Sequence, residues 1–413
     1  MKILFLTSRF PYPLEKGDKL RAYEFIKHLS KHHQIILLAL NEKKITQSQL
    51  QQLQPYCEEI IVEEISRLNS FINLLKNIIG YLPFSVVYFF RRSVYERIQL
   101  EIEKHKPDHI FCHLIRMSEY VAHVDNIPKT LDYMDAFSTG MTRLSEQSSG
   151  IKRFLYNMEQ KRLEQYEQRI FPCFNHHTII SKQDRDLIPV EEKLKIHIVP
   201  NGVDLAFFAP QQSEKKYDLL FAGNMNYPPN IESVLFIAQK ILPLVKQKLP
   251  NIKLVVAGAN PSSKIKELQS ENIDVTGWVD DIRPYFSQSK IMLAPMLISI
   301  GMQNKILQGM AMKIPCITTQ LANNAIEASN GTEVIIANTA EEFANAIIDL
   351  LNDESKQNKI AENAFTFVNK NYTWQAMTEK LNALFSGSGN LANETKDTTP
   401  NTTPITTPIT TQQ

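Results

Sequence analysis

Short apolar runs alternate with longer amphipathic stretches along both halves of the chain. Such runs are typical of strands that are buried on both faces of a parallel sheet. The first half contains these candidate strands: Ile3–Leu6, Ile35–Leu40, Ile60–Val62, His109–Cys112, Thr130–Tyr133, Thr178–Ile180 and Ile196–Val199. The second half contains these: Leu219–Ala222, Leu254–Ala257, Asp274–Thr276, Ile291–Ala294, Cys316–Thr318 and Val334–Ile336. The alternation predicts an α/β protein with two doubly wound parallel sheets, each covered by helices.

Turn residues and composition divide the chain into segments. Pro200-Asn201-Gly202 follows a strand and marks a boundary between an N-terminal domain, residues 1–199, and a C-terminal domain, residues 200–370. Residues 371–385 are predicted to form a last helix. Residues 386–413 are rich in Gly, Ser, Asn, Thr and Pro. They cannot bury enough apolar surface to fold, so we predict a disordered tail.

The segment from Lys290 to Thr319 reads as a strand, a tight loop, a helix and a second strand. Gly301 permits a bend in the loop, and the following helix begins near Asn304. The first N–H groups of a helix have no partner inside it and favour an anion, and Lys305 in the first turn adds a positive charge. The pattern indicates a phosphate site, and the alternative is that Lys305 is a solvated surface residue.

Other polar residues follow predicted strands, where the ligands of doubly wound sheets bind. In the second domain, Gly223 and Asn224 follow the first strand, where their backbone could contact a base or a phosphate. In the first domain, the sequence offers these candidate ligand contacts: Gly17, Asp18, Arg21, His113, Asp132 and Asp135. We favour Asp135 over Asp132 as the group that orients or deprotonates a ligand hydroxyl, and Ser138 as the cap of the next helix.

Several ordered motifs carry a family resemblance: VPNGVD from Val199, FAGNMNYPPN from Phe221, TGWVDDIRPYF from Thr276 and NYTW from Asn371. With the helix at Lys305, they resemble the family 4 glycosyltransferases of the GT-B fold, in particular the sugar transferases of bacterial exopolysaccharide clusters. The resemblance implies transfer of a sugar from a nucleotide diphosphate to a hydroxyl of a glycan or lipid-linked saccharide, with retention of configuration. It implies no metal and no cofactor beyond the nucleotide sugar. It also implies donor contacts from Gly223, Asn224, Gly301, Met302, Gln303, Asn304 and Lys305, and it places Gly17, Asp18, Arg21 and His113 on the acceptor side. In a GT-B enzyme the helix at residues 371–385 would cross back to the first domain. With this assignment, Lys305 and Asp135 are the predicted catalytic residues.

The chain departs from the family pattern at the donor site. The family usually has two glutamates there, and the corresponding residues are Ile300 and Gln308. A glutamine can accept a hydrogen bond from a ribose hydroxyl, but it lacks the charge that strengthens that bond. The arginine and lysine that the family often carries near Gly223 are also missing. Two alternatives therefore stay open, a nucleotide-sugar 2-epimerase and a non-catalytic relative that binds sugar nucleotides.

Composition excludes some partners. The chain has 413 residues, of which 43% are hydrophobic and 22% charged, and this is typical of a globular protein. A net charge of +1 gives no reason to expect nucleic acid. The four isolated cysteines lack zinc or redox spacing and favour a reducing, cytoplasmic compartment. The N-terminal apolar run is too short for a signal-peptide core, and no run is long enough to span a membrane.

The stretch from Ser70 to Arg92 is dense in large apolar residues and ends in two arginines. Pro83 interrupts it, so a spanning helix is not expected. One interpretation is a buried pair of helices in the N-terminal domain. The other is an interfacial surface that brings a cytoplasmic enzyme to the inner face of the plasma membrane.

Overall fold

The computed structural model describes residues 1–298 and 301–386. The strands within these ranges are β1 Lys2–Thr7, β2 Gln34–Asn41, β3 Glu59–Glu64, β4 His109–His113, β5 Lys129–Met134, β6 His176–Ile179, β7 Ile196–Ile198, β8 Tyr217–Ala222, β9 Leu254–Ala257, β10 Ile273–Gly277, β11 Ser289–Ala294, β12 Cys316–Thr318 and β13 Ile335–Ile336. Every predicted strand is present, with ends that differ by about two residues or fewer.

The helices separate the strands and cover the sheets. They are α1 Gly17–Leu29, α2 Gln47–Gln51, α3 Arg67–Lys76, α4 Phe84–Phe89, α5 Arg92–His105, α6 Phe137–Glu146, α7 Gly150–Ile170, α8 Lys182–Leu187, α9 Pro228–Phe236, α10 Leu242–Lys246, α11 Ser263–Lys266, α12 Arg283–Ser287, α13 Asn304–Ala311, α14 Gln320–Asn323, α15 Ala340–Asn352, α16 Glu354–Asn371 and α17 Trp374–Phe385.

The strands form two separate sheets in which every neighbouring pair is parallel. The first sheet has the order β3-β2-β1-β4-β5-β6-β7, and the second has the order β10-β9-β8-β11-β12-β13. The direction of winding reverses between β1 and β4 in the first sheet and between β8 and β11 in the second. Loops at the carboxyl ends of strands on either side of such a reversal form the usual ligand crevice of this architecture. The predicted fold class is therefore confirmed.

The last helix packs against the first sheet. Trp374 and Leu381 of α17 lie in the same buried cluster as Phe5 and Phe25, and the rings of Phe25 and Trp374 meet edge to face at 5.8 Å. This contact joins the C-terminal end of the described chain to the N-terminal sheet through apolar surface, the strongest general source of packing energy.

The chain crosses between the sheets at two adjacent points. Val203 forms a parallel bridge with Thr373, and its N–H donates to the carbonyl oxygen of Tyr372 at 2.8 Å. Gly202 lies so close to this segment that a Cβ would sit 2.4 Å from the backbone nitrogen of Trp374. The VPNGVD and NYTW motifs therefore form one packed crossing, in which only glycine fits at position 202.

Residues 70–92 form parts of three helices. Helix α3 ends at Lys76, and α4 begins after Pro83, which breaks the apolar stretch as predicted. None of the helices in the described part of the chain has an apolar stretch of membrane-spanning length. Ile300 and the predicted disordered tail after Ser386 lie outside the described residues.

Candidate active site

Loops from the two sheets meet at Asp135 and Gly301. Asp135 follows β5, and its Oδ1 lies so close to Gly301 that a Cβ there would be only 2.4 Å away. Gly301 also has a φ of 65°, a left-handed conformation that favours glycine. The acceptor-side carboxylate that we predicted therefore faces the donor-side loop directly, across the cleft between the sheets.

Lys305 is buried, so its interpretation as a solvated surface residue is wrong. Its side chain crosses beneath the loop after β8, where Nζ donates to Oδ1 of Asn230 at 2.5 Å and lies 4.4 Å from the centroid of the Phe221 ring. Among the described residues, no carboxylate lies within ion-pair distance of it. Burial lowers the pKa of Lys305 to about 7. The ammonium group therefore lacks the negative partner that a buried cation needs.

The loop after β8 connects Lys305 to the donor side of the cleft. Nδ2 of Asn230 donates to the carbonyl oxygen of Asn224 at 2.9 Å, and the same side chain lies against Gly223. Asn230 thus accepts from Lys305 and donates to the loop, which fixes both. Gly223, Asn224 and Lys305 are consequently brought together, although 75 residues separate Asn230 from Lys305.

The residues that open α13 have different surroundings. Oδ1 of Asn304 accepts from Nδ2 of Asn201 at 3.1 Å. Gln303 is 7% exposed, with its amide 3.5 Å from the carbonyl oxygen of Gly301. The side chain of Met302 belongs to the apolar core of the second domain, which leaves its backbone for the predicted donor contact. Gln308 is half-buried on α13.

Asp135 has an unusual electrostatic environment. Burial raises its pKa to about 7, and the charge of Asp184 adds to the increase. The residue is half-buried. A carboxyl group with a pKa near neutrality can accept a proton from a hydroxyl more readily than an ordinary aspartate, because its conjugate acid is more stable.

Arg21 was expected to contact the acceptor, and this prediction is wrong. Its side chain is 0% exposed and binds both carboxylate oxygens of Asp132, at 2.8 and 2.9 Å. Its remaining nitrogen donates to Oδ1 of Asn201 at 3.0 Å. Asn201 in turn donates to Asn304, so Arg21 connects the first sheet to α13. Burial alone would raise the pKa of Asp132, but the charge and hydrogen bonds of Arg21 hold it well below its usual range.

His113 was also predicted on the acceptor side, and the structure contradicts this. It is the last residue of β4 and is 2% exposed. Nδ1 lies 2.9 Å from Oδ2 of Asp132, and Nε2 lies 3.0 Å from the carbonyl oxygen of Asp18. Both ring nitrogens are therefore occupied by acceptors within the protein, and the ring supports α1 instead of contacting a sugar.

The start of α1 does reach the cleft. Gly17 lies against Met134, whose Cε would be 3.1 Å from a Cβ at position 17. Asp18 accepts from Nη1 of Arg9 at 2.6 Å, and its side chain is 13% exposed. Ser138 does not cap α6, because its hydroxyl donates to Glu167 at 2.8 Å and the cap position is Ala136. The sequence correctly predicted that Gly17 and Asp18 lie at the start of α1. It did not predict that Arg9 contacts Asp18.

A further part of the cleft was not anticipated from the sequence. A cavity of about 390 Å³ lies between the start of α1 and the loops after β8, β9 and β10. It is lined by Glu15, Lys16, Gly223, Asn224, Asn226, Gly258, Ala259, Asn260, Trp278, Val279 and Ile282. Trp278 is 67% exposed, which is unusual for a large aromatic side chain. The TGWVDD motif could have indicated it, since an aromatic residue directly after a strand end is available to stack on a ligand ring.

Comparison with known proteins agrees with this geometry. Residues 216–353 match the model of a family described as glycosyl transferases group 1. A protein of Klebsiella pneumoniae described as an uncharacterized 44.6 kDa protein in the cps region is 24% identical over 397 residues, which is 90% of this chain and 96% of the relative.

Solved structures share the whole fold. Sucrose-phosphate synthase from Thermosynechococcus elongatus superposes with a TM-score of 0.69 at 14% identity, over 94% of this chain and 99% of the other. HepE of Anabaena in complex with UDP superposes with a TM-score of 0.65 at 14% identity, over 94% and 100%. The matched family domain spans β8 to α15, the part of the chain that contains Lys305. The protein is a glycosyltransferase of the GT-B fold, with a glycosyl transferases group 1 domain at residues 216–353.

Proposed function

We propose that this enzyme transfers a sugar from a nucleoside diphosphate to an acceptor hydroxyl, with retention of configuration, during synthesis of a cell-surface polysaccharide. The observation that carries the proposal is the buried Lys305 ammonium group, which has no carboxylate partner among the described residues and lies at the opening of α13. A diphosphate bound there would supply the missing negative charge and would also face the unpaired N–H groups of the helix.

The chemistry follows from the positions of Lys305 and Asp135. The bond between the anomeric carbon and the diphosphate oxygen breaks, and its electrons remain on the diphosphate. Lys305 and the α13 N-terminus stabilise that charge. The acceptor oxygen forms the new bond on the face that the diphosphate leaves, and its proton passes to Asp135, which faces Gly301 at the edge of the donor loop. No residue needs to form a covalent sugar intermediate in this scheme.

The cavity that contains Trp278 is the proposed site of the base. Its exposed indole offers a stacking surface, and the backbone of Gly258 and Ala259 lines the same space. HepE, which shares the fold, has been solved in complex with UDP, and this supports a nucleotide as the ligand. We expect UDP to stabilise the protein in a thermal-shift screen that includes GDP and ADP, because a ligand that binds only the folded state raises the melting temperature. The proposal fails if no nucleoside diphosphate produces a shift.

An activity assay with the nucleotide sugar that the screen identifies separates the alternatives. A transferase consumes the nucleotide sugar only when an acceptor is supplied, apart from slow hydrolysis, whereas a 2-epimerase converts it without acceptor and a non-catalytic relative leaves it intact. The capsule-region relative favours the transferase, since sugar transfer builds such polysaccharides.

Gln308 provides a test of the donor site. We propose that it faces the donor ribose, as the resemblance implies. Gln308→Glu should then tighten UDP binding by about 1 kcal/mol, the difference between a neutral and a charge-assisted hydrogen bond. Isothermal titration of both proteins measures the change. Gln247→Glu, at an exposed position that follows α10, is the matched control and should leave the affinity unchanged. Equal affinities in all three proteins would place Gln308 outside the site.

The acceptor is proposed to be lipid-linked, with the enzyme held at the inner face of the plasma membrane. Helix α3 and the residues after it expose an apolar surface, here called the α3 patch: Leu68, Phe71, Ile72, Leu75, Ile78, Ile79 and Tyr81. Ile79 is 98% exposed. Exposed apolar side chains in one contiguous segment are unusual on a protein without a binding surface. Lys76, also exposed, favours an anionic lipid surface.

Vesicle binding tests the patch. A triple variant in which Phe71, Leu75 and Ile79 are all changed to serine should bind phosphatidylglycerol vesicles about tenfold more weakly or worse. The reason is that three large side chains can no longer enter the interface. Co-sedimentation with the vesicles measures the loss. The control replaces Leu100 and Leu194, which are 60% and 65% exposed elsewhere, with serine. If the control variant loses vesicle binding to the same extent, or if the wild-type protein does not bind the vesicles, the proposed membrane contact is wrong.

A further inference from the structure

Two arginines converge on one aromatic ring beside Asp135. Arg9 follows β1 and Arg116 follows β4, so both come from the winding reversal of the first sheet. Their guanidinium carbons lie 5.9 and 5.2 Å from the centroid of the Phe89 ring. Arg116 also lies 4.9 Å from the ring of Phe137, two residues after Asp135. The proposed catalytic carboxylate and both guanidinium groups are therefore neighbours.

Arg116 has a buried donor that this cluster does not satisfy. Asp18 contacts Arg9 at 2.6 Å, and the charges of Asp18 and Asp135 both act on Arg116. Nε of Arg116 is nonetheless buried and has no hydrogen-bond partner among the described residues. Burial and the nearby charge of Arg9 lower the pKa of Arg116 to about 10. An anion that reaches this donor would satisfy it, because buried polar groups are normally paired.

We propose that Arg9 and Arg116 form an anion subsite that binds a phosphate group of the acceptor. This rests on the proposed function, since it assigns the acceptor side of the same cleft. Arginine suits the role because its planar fork binds phosphate oxygens in pairs. The aromatic rings of Phe89 and Phe137 provide apolar walls around the charge.

The surroundings favour a lipid phosphate over a free one. Phe89 ends α4, and α4 packs on α3, where Oγ of Ser70 donates to the carbonyl oxygen of Tyr88 at 2.9 Å. The subsite is thus connected through α4 to the helix that carries the α3 patch. A lipid-linked acceptor could place its chain on that patch, its phosphate on Arg9 and Arg116, and its sugar near Asp135 and Gly301.

Binding of a soluble isoprenoid diphosphate tests the subsite. The protein is first saturated with UDP, which fills the Lys305 site, and is then titrated with farnesyl diphosphate, with farnesol and with inorganic phosphate. Farnesyl diphosphate should bind at least about tenfold more tightly than farnesol or inorganic phosphate, because only it combines charge with an apolar chain. If farnesol binds as tightly as farnesyl diphosphate, the anion subsite is excluded. If inorganic phosphate binds as tightly as farnesyl diphosphate, a lipid-linked ligand is excluded.

Variants locate the binding. Arg116→Gln and Arg9→Gln should each abolish the advantage of farnesyl diphosphate over farnesol, whereas Arg116→Lys keeps the charge and should retain part of it. Arg97→Gln, an exposed arginine of the same domain that pairs with Glu101, is the control. The affinities for glucuronate and glucose are compared to test whether the bound anion is a carboxylate. A preference for glucuronate, without any preference for farnesyl diphosphate over farnesol, would overturn the phosphate assignment. Failure of UDP to bind would instead contradict the proposed function.

Discussion

Replacing Lys305 with methionine is expected to reduce turnover about 10²-fold or more, the scale observed when one electrostatic contact to a developing charge is lost. Methionine preserves most of the buried volume between Asn230 and Phe221, so the effect reports the charge and not a cavity. Steady-state kinetics with the nucleotide sugar found in the screen measures it. Lys313→Gln is the control, since that lysine lies beyond the other end of α13 and pairs with Glu362. Equal activity of wild type and Lys305→Met would exclude Lys305 from catalysis.

Proton uptake on UDP binding provides a second test of Lys305. Its pKa is about 7 in the free protein, against 10.5 for an ordinary lysine. Near pH 8 the free amine is therefore mostly neutral, and a bound diphosphate should charge it again. We expect uptake of close to one proton per UDP at about pH 8, and little uptake near pH 5.5. Calorimetry in buffers of different ionisation enthalpy measures it, and Lys305→Met should abolish it.

The melting temperature of Lys305→Met shows whether the variant loses activity because it fails to fold. Because folding lowers the pKa of Lys305 from 10.5 to about 7, the buried charge destabilises the native state fully below about pH 7. That cost decreases as the pH rises toward 10.5. Lys305→Met should therefore melt above the wild-type protein near pH 6, and the difference should shrink near pH 9.

Asp135→Asn is expected to reduce sugar transfer about 10²- to 10⁴-fold, the usual contribution of a general base. Asparagine has the same shape as aspartate, so the contact with Gly301 is kept while the proton acceptor is removed. UDP binding should be unchanged, because the donor contacts lie on the other domain. Asp125→Asn, at an exposed position of the same domain, is the control. Transfer at the wild-type rate would show that another group takes the proton.

The stability of Asp135→Asn should have the opposite pH trend to that of Lys305→Met. Folding raises the pKa of Asp135 from 3.8 to about 7, so the native state holds a proton that the unfolded chain releases. Native stability is therefore lost as the pH rises from 3.8 to about 7, and asparagine removes this loss. The variant should exceed the wild-type melting temperature by more near pH 8 than near pH 5.

The strands could be predicted from the sequence because each is a local pattern. An apolar run such as Leu254–Ala257 is sufficient to place a buried strand. The position of Asp135 directly after β5, and that of Gly301 in the loop between β11 and α13, follow from the same pattern and the switch-point rule, so that both halves of the cleft were predictable in outline.

Burial of charged side chains could not be predicted in this way. Arg21 and Lys305 each follow a helix start and read alike in sequence, but distant partners decide their roles. Asp132 lies 111 residues from Arg21 and satisfies it inside the first domain. Among the described residues, the hydrogen-bond partners of Lys305 are neutral: Asn230, 75 residues away, and the sulfur of Met296. The difference between a structural cation and a candidate phosphate ligand is therefore set by contacts that no local pattern contains.

The packing of α17 has a consequence for synthesis on the ribosome. Phe5, Phe25 and Phe111 are made early, but the cluster that buries them also includes Trp374 and Leu381, among the last described residues to be translated. Until then, one face of the first sheet lacks its final cover. The first domain therefore remains incomplete while the second is being made, and exposed aromatic surface of this kind is prone to aggregation. The first domain is thus translated first, but its hydrophobic core is completed last.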